Sequence, residues 1–520
     1  MGLQYRLLPT RFSGMTELTP RLYWSILAVV AIALMLPVVL IDIPPLYDYA
    51  GHLARIVTTW RLLHGTEVTG NFALQPAIVP NLGMDAVVLA LMWLGLPAEV
   101  AGRVFLGATL LMIGGGTLLL HQALFRRRSL VPVLACAFLY CDTLLWGFMS
   151  YLFGVGLVLI GAAVWLRLRD RPQAAGAWLA VFAVAAFFCH LLAALLLFGV
   201  VIGLEVWHIA AGGQRGWSTG SWRGLAATFW AMIPAGVLLL LAPVINQGRP
   251  PPTNAFSSLL SLDAVLLRIR EFSYFTIGYD EQLDKAALMI CITVLVMLAI
   301  MRRLAVAWAL VLPLAGLALI YLLVPDGWVG TEKLPERLPL AIFCLALASV
   351  EARRGQGGIA ALAVALVVVR VVTVLPAWQA AEVEAAPLLA AISRLRPSDR
   401  IYYAVIYDRP FRAELRPPVG YLANYATIRA GSYSNGVHAL PKQNILVRAG
   451  SALRIPADPG TYRVGSPYML FRPPFLSSMI ASYDYVLVVN PDLYPAPPPD
   501  SELLVRTPRA ALYNLRHRSP

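Results

Sequence analysis

Long apolar runs follow one another through most of this chain, and that succession restricts the fold more than any other feature. They fall at residues 23–41, 102–123, 130–147, 151–167, 175–189, 191–208, 224–244, 286–301, 304–324, 338–351 and 358–377. Most come close to the roughly 20 residues that an α-helix needs to cross a hydrocarbon core of about 30 Å. Of 520 residues, 59% are apolar and only 13% charged, far outside soluble globular usage. A multi-pass membrane protein is expected, with membrane lipid as its surroundings and no nucleic acid as partner.

Charge sets the expected orientation. Basic residues cluster at Arg6, Arg11 and Arg21, at Arg126 to Arg128, at Arg167, Arg169 and Arg171, at Arg215 and Arg223, at Arg302 and Arg303, and at Arg353 and Arg354. With eleven spans all of these share one side, which the positive-inside rule makes the cytoplasm. The first span is then an uncleaved anchor with the N-terminus inside. Residues 82–96 are also apolar, but a span there would push most basic clusters outside. They read instead as a helix lying on the outer surface, within a large first outer loop at 42–101.

After residue 379 the apolar spans stop. Strand-like runs appear at 400–407, 485–489 and 503–515, separated by dense Pro and Gly punctuation such as Pro495 to Pro499. The expected fold is mainly α: a polytopic transmembrane bundle of about 11 spans over residues 1–379, followed by an extracytoplasmic α/β domain over 380–520. No nucleophile elbow, zinc spacing or phosphate loop occurs in the second part, which reads as accessory. The cysteines, Cys136, Cys141, Cys189, Cys291 and Cys344, lie in or beside apolar runs and read as packing residues.

Chemistry concentrates where the first span ends. From Asp42 to Arg55 the chain reads Asp-Ile-Pro-Pro-Leu-Tyr-Asp-Tyr-Ala-Gly-His-Leu-Ala-Arg. Asp48, His52 and Arg55 stand at i, i+4 and i+7, so a helix puts all three on one face. Asp42 lies outside that face, held in extended chain by Pro44 and Pro45. The plainer reading is a solvated helix start. Other polar groups converge on the same outer side, however: Arg103 at the start of the second run, Asp142 at the end of the third, and His190 at a break between two more. Glu271, Asp280, Glu281, Asp284 and Lys285 occupy one later outer loop, and Asp326, Glu332, Lys333, Glu336 and Arg337 another. The inner loops are short and mostly basic, so any chemistry is expected outside.

A first span running outward, an acidic motif directly after it, a large outer loop with a surface helix, a second acid at a later outer helix end and a C-terminal extracytoplasmic domain together resemble the GT-C superfamily. The likeness is closest to the lipid A aminoarabinose and protein mannosyl transferase branch of these polyprenyl-phosphate-sugar-dependent glycosyltransferases. It covers about residues 20–375 and rests on topology and one loose motif, with Asp48 and the trailing Ala54-Arg55 as the first-loop match and Asp142 as the second acid. The branch usually carries an acid beside its first-loop aspartate, whereas Tyr49 follows Asp48 here and the other acid is Asp42.

The resemblance implies inverting transfer of a sugar from a polyprenyl-phosphate donor to a lipid, glycan or protein hydroxyl outside the inner (plasma) membrane. Asp48, or alternatively Asp42, would be the base, with Asp142 as second acid. His52 would orient Asp48 or bind the donor phosphate. Arg55, Arg103, Lys333 and Arg337 would be the donor-phosphate ligands. A divalent metal (Mn, Mg or Zn) held by Asp48, Asp142 and His190 is compatible with these ligand types but not demanded. The rival readings are a lipid or polysaccharide transporter or flippase, in which the site would sit near mid-membrane between matching halves, and an O-antigen-type polymerase or ligase.

Overall fold

The computed structural model describes residues 19–67, 69–211, 219–243, 261–325, 327–328, 331–405, 419–439, 443–450, 482–493, 497–498 and 500–515. Arg6, Arg11, Arg215, Asp326, the end of the 400–407 run and most of the Pro495 to Pro499 stretch lie outside the described residues. The helices are α1 (Pro20–Leu40), α2 (Tyr49–Leu63), α3 (Gly83–Trp93), α4 (Ala98–Phe125), α5 (Asp142–Leu145), α6 (Met149–Leu168), α7 (Pro172–Cys189), α8 (Leu191–Ala211), α9 (Thr219–Leu241), α10 (Leu262–Phe272), α11 (Glu281–Ile300), α12 (Val311–Leu323), α13 (Leu334–Ala348) and α14 (Gln356–Ile392). Among the described residues eight of these, α1, α4, α6, α7, α8, α9, α11 and α14, are long and apolar enough to cross a membrane. Their outward side chains are those of a surface in contact with lipid: Trp230, Leu240 and Ile300 are 72%, 80% and 76% exposed. Inside the bundle small residues allow close approach. A Cβ on Gly156 of α6 would lie 2.8 Å from Met112 Cβ of α4.

Contacts at the helix ends give the direction of each pass. At one end Tyr23 accepts from Gln122 at 3.0 Å, His121 meets Glu351 at 2.9 Å, the Arg353 amide donates to the Arg303 carbonyl at 2.7 Å, and Trp165 and Arg169 both donate to Glu205 at 2.9 Å. Arg126 to Arg128, Arg167 to Arg171, Arg302, Arg303, Arg353 and Arg354 all belong to this basic end. At the other end Arg103 donates to the Ile41 carbonyl at 3.2 Å, the Leu82 amide to the Phe188 carbonyl at 2.6 Å, and Thr143 to the Glu336 carbonyl at 3.1 Å. Besides the eight long helices, the 16-residue apolar stretch that ends in α12 and the 15-residue α13 also run between the two ends.

The expected helix over 130–147 is corrected. The chain passes from Leu130 at the basic end to Asp142 at the other as a 3-10 helix, Val131–Phe138, followed by the single turn of α5. Such backbone is tolerated at membrane depth only where protein buries it and satisfies its polar groups, and every residue from Val131 to Phe138 is buried. Arg370 of α14 donates to the Ala137 carbonyl at 3.1 Å and is neutralised by Asp284 at 2.6 Å. The Tyr140 hydroxyl caps the Leu34 carbonyl of α1 at 2.6 Å. The run expected at 175–208 does break at His190, whose extended backbone (φ −168°, ψ 137°) separates α7 from α8.

At 37 residues, α14 is about 55 Å long at 1.5 Å per residue. It therefore continues past residue 379 and out of the apolar region, carrying the C-terminal sheet. That sheet contains β6 (Arg400–Val405), β7 (Tyr433–Ser434), β9 (Tyr485–Val489), β10 (Glu502–Arg506) and β11 (Ala510–Asn514), in the order β10-β11-β9-β6-β7. The pairs β6-β7 and β6-β9 are parallel. The earlier short strands are β1 (Phe72–Leu74), β2 (Leu304–Val306), β3 (Gly327–Trp328), β4 (Thr331–Glu332) and β5 (Val350–Ala352). The first loop and the C-terminal region are not separate layers. β1 pairs antiparallel with β8 (Leu446–Arg448), Arg61 of α2 donates to the Ile428 carbonyl at 2.9 Å, and Arg429 pairs with Glu99 of α4 at 2.9 Å.

This layout predicts opposite labelling of the two ends. The native cysteines are all buried, so a single cysteine at exposed Thr66 and one at exposed Arg354 should react with an impermeant maleimide from opposite faces of sealed vesicles. Reaction of both from the same face would break the assignment of the passes.

Candidate functional site

Asp48 stands at the N-cap of α2, yet its carboxylate makes no capping hydrogen bond. An N-cap aspartate ordinarily accepts from the amides of the first turn, and here the carboxylate turns away from them. Backbone bonds hold it in place: the Tyr47 amide donates to the Leu145 carbonyl at 2.9 Å and the Asp48 amide to the Trp146 carbonyl at 3.1 Å. The first acidic motif is thereby laid against the turn that begins with Asp142. Gly147 permits the approach, since it sits at φ +76° and a Cβ there would lie 2.7 Å from the Asp48 amide nitrogen. The Asp48 side chain is 39% exposed, and His438 Nε2 from the C-terminal region lies 3.9 Å from its Oδ1.

One turn into α2, His52 is buried, and its Nδ1 has no hydrogen-bond partner among the described residues. Its ring meets that of His438 edge to face, with centroids 4.6 Å apart. Burial, then the nearby Arg55, His438 and Arg337, hold the His52 pKa well below its usual value. For His438 burial also lowers the pKa, Asp48 opposes that, Arg55 adds to it and Asp85 opposes it. The helical face expected from the spacing of Asp48, His52 and Arg55 does form, and it is His438 that closes it.

Arg55 has a different task from the one its sequence position suggests. It is completely buried and pairs with Asp85 of α3 through two of its nitrogens, Nε (to Oδ1 at 2.8 Å) and Nη2, while Nη1 donates to Asn444 Oδ1 at 2.7 Å. Its reading as a donor-phosphate ligand is corrected: a guanidinium already neutralised inside the protein joins α2, α3 and the C-terminal region. Arg103 is engaged by Asp42 at 2.7 Å, and the Asp42 amide donates to Glu382 at 2.8 Å. Asp42, 76% exposed, thus works as a clip between α1, α4 and α14.

Lys333 and Arg337 come to the same end as Asp48. Lys333 Nζ lies 3.5 Å from the centroid of Trp146, the ring on which Tyr47 stacks at 5.1 Å. Arg337, largely buried, lies 3.5 Å from the centroid of Phe148 and 5.7 Å from that of Tyr151, whose hydroxyl donates to the Arg337 carbonyl at 2.7 Å. Held over ring faces, both charges keep a fixed position. Lys333 also adopts the left-handed backbone (φ +56°), which costs a side-chain-bearing residue of order 1 kcal/mol or more. His190 packs edge to face on Tyr151 at 5.5 Å and its Nδ1 accepts from the Leu192 amide at 3.1 Å. The expected metal set of Asp48, Asp142 and His190 does not assemble: no group of three or more His, Cys, Asp or Glu positioned for a metal ion exists among the described residues.

No known family matches the sequence, and no curated protein does. The cryo-electron microscopy structure of the arabinofuranosyltransferase AftD from mycobacteria aligns over 96% of this chain and 40% of its own, with 15% identity and a TM-score of 0.40. The chain thus spans well under half the length of that protein. A likeness so distant fixes neither fold nor activity.

The buried histidines make stability depend on pH in a definite direction. In the native state His52 binds its proton less readily than in the unfolded chain, whose histidines titrate near 6.5. Below that value the unfolded chain takes up more protons, so stability is full above it and falls as pH drops from 6.5 toward the native pKa, by up to about 1.4 kcal/mol per pH unit for each such histidine. Thermal unfolding of the detergent-solubilised protein should show a melting temperature that falls on acidification, and His52→Gln should flatten the dependence. An unchanged slope in that variant would place His52 in contact with water.

Proposed function

We propose that this chain is a membrane glycosyltransferase that moves a sugar from a polyprenyl-phosphate donor to an acceptor hydroxyl, with Asp48 as general base. The observation that carries the reading is the juxtaposition at one end of the bundle: a half-exposed carboxylate that caps nothing, bonded through its backbone to the turn whose Trp146 carries Lys333, with Arg337 on the neighbouring Phe148. A carboxylate that takes a proton beside cations that hold an anion is what phosphate-leaving glycosyl transfer needs. The charged clusters at the opposite end suit a cytoplasmic face. On this reading the site works on the outer side of the inner (plasma) membrane.

In the proposed reaction the polyprenyl tail lies among the apolar helices and the donor phosphate rests against Lys333 and Arg337. Asp48 removes the proton of the acceptor hydroxyl as its oxygen attacks the anomeric carbon. The bond from that carbon to the phosphate oxygen breaks, and configuration inverts. Negative charge grows on the leaving phosphate, so cations fixed beforehand stabilise the transition state more than the ground state.

Asp48→Asn keeps the shape of the side chain and removes its basicity. In a membrane assay with labelled polyprenyl-phosphate sugars it should bind donor normally and transfer about 10²- to 10⁴-fold more slowly, whereas Asp42→Asn should keep most activity. Full activity of Asp48→Asn would remove it as the base.

The donor-phosphate role has a separate test, because it concerns affinity. Arg337→Ala should weaken donor binding by about 2 to 5 kcal/mol if the charge pair is desolvated, and Lys333→Ala, on a more exposed group, by less. Unchanged donor affinity in the double variant would mean that the phosphate binds elsewhere.

A further inference from the structure

We propose that His438 is a positioning residue for Asp48, so that residues nearly four hundred positions apart share one site and the C-terminal region is part of it. The proposal rests on the reading of Asp48 as the base, and goes beyond it by giving a role to a side chain from the other end of the chain.

Three observations carry it. His438 Nε2 is 3.9 Å from Asp48 Oδ1, and the two side chains are 31% and 39% exposed, so neither is sealed inside the protein. The imidazole is held from behind by the buried ring of His52 at 86° to its own plane. The segment before it is pinned to the sheet: the Asn435 amide donates to the Ile401 carbonyl at 3.4 Å, the Gly436 amide to Ser434 Oγ at 3.2 Å, and Ser434 Oγ in turn to Asn424 at 3.0 Å. α2 has made room for this arrangement. A Cβ on Gly51 would come within 2.9 Å of His438 Nε2 and 3.0 Å of the Gly436 carbonyl oxygen, so a larger residue there would push the loop off the helix.

The charged and titratable groups facing His438 are Asp48, His52, Arg55 and Asp85. Arg55 and Asp85 neutralise one another, and His52 is buried, so Asp48 is the net charge the imidazole meets. A separation of 3.9 Å is longer than a hydrogen bond, but such contacts tighten when substrate closes a site. With the neutral ring donating its Nε2 proton to Oδ1, that oxygen is fixed and Oδ2 is left as the basic atom for the acceptor hydroxyl. The hydroxyl proton then passes to Oδ2, and His438 itself neither gains nor loses one.

The test uses the full-length protein in detergent. His438→Ala should lower kcat about 10- to 100-fold with little change in KM for the donor, the scale expected when a reacting group loses its orientation. His438→Gln, which retains an N–H donor, should recover most of the rate, whereas a merely structural role would not follow the donor in this way. A second readout does not need activity: in a histidine NMR titration the His438 resonance, identified by its loss in the variant, should titrate at lower pH in Asp48→Asn than in wild type. An unmoved resonance, or His438→Ala at wild-type kcat, overturns the proposal. A moved resonance in a wild-type protein that transfers no sugar upholds the shared site and overturns glycosyl transfer instead.

Discussion

One buried guanidinium aligns three distant segments at the end of the molecule that carries Asp48. Arg55 has no access to water, so it must be neutralised and its N–H groups satisfied within the protein, and Asp85 and Asn444 do both. Replacing such a pair with apolar residues is often harmless to stability, whereas removing one partner costs about 3 to 5 kcal/mol. Its value here is geometric. The pairing fixes the rotation of α2 about its axis, and with it the direction in which His52 and Asp48 face. It also joins α3 and the C-terminal region to the same point, so three segments distant in sequence have one common alignment.

The bundle below divides its polar groups by purpose. Away from that end, buried polar groups are matched with one another: His121 is hydrogen-bonded to Glu351, and Arg169 pairs with Glu205 and Arg370 with Asp284. The last of these lets a non-α segment pass through the interior, because Arg370 also serves the Ala137 carbonyl that a regular helix would have satisfied. At the other end Lys333 and Arg337 rest on aromatic rings and Asp48 keeps a partly exposed carboxylate.

What the sequence disclosed and what it hid follow from the range of the interactions. The helical spacing of Asp48, His52 and Arg55 is local, and α2 forms as that spacing requires. The break at His190 and the strands near residues 400, 485 and 510 are likewise marked by nearby residues. The third apolar run reads as a helix because hydrophobicity alone does not distinguish an α-helix from a 3-10 path buried on all sides; Pro132 is a local hint. Arg55 looked like a ligand because nothing in its own motif reveals Asp85, thirty residues later. His438 carried no signal beyond a lone histidine in a turn-rich stretch, since its meaning depends on a helix from the far end of the chain.

The pairing of β1 with β8, and of Arg55 with Asn444 across a sequence separation of 389 residues, has a consequence for biogenesis. Contacts between such distant segments form late, since the chain between them must first be made and ordered. While the ribosome is still producing the intervening helices, β1 has an unpaired edge and Arg55 lacks Asn444. The nascent bundle therefore holds its carboxylate without the wall that will enclose it, and a chain cut short before Asn444 would leave an unfinished surface open to chaperones and proteases. The contacts around α2 are complete only once the chain has been made past Asn444.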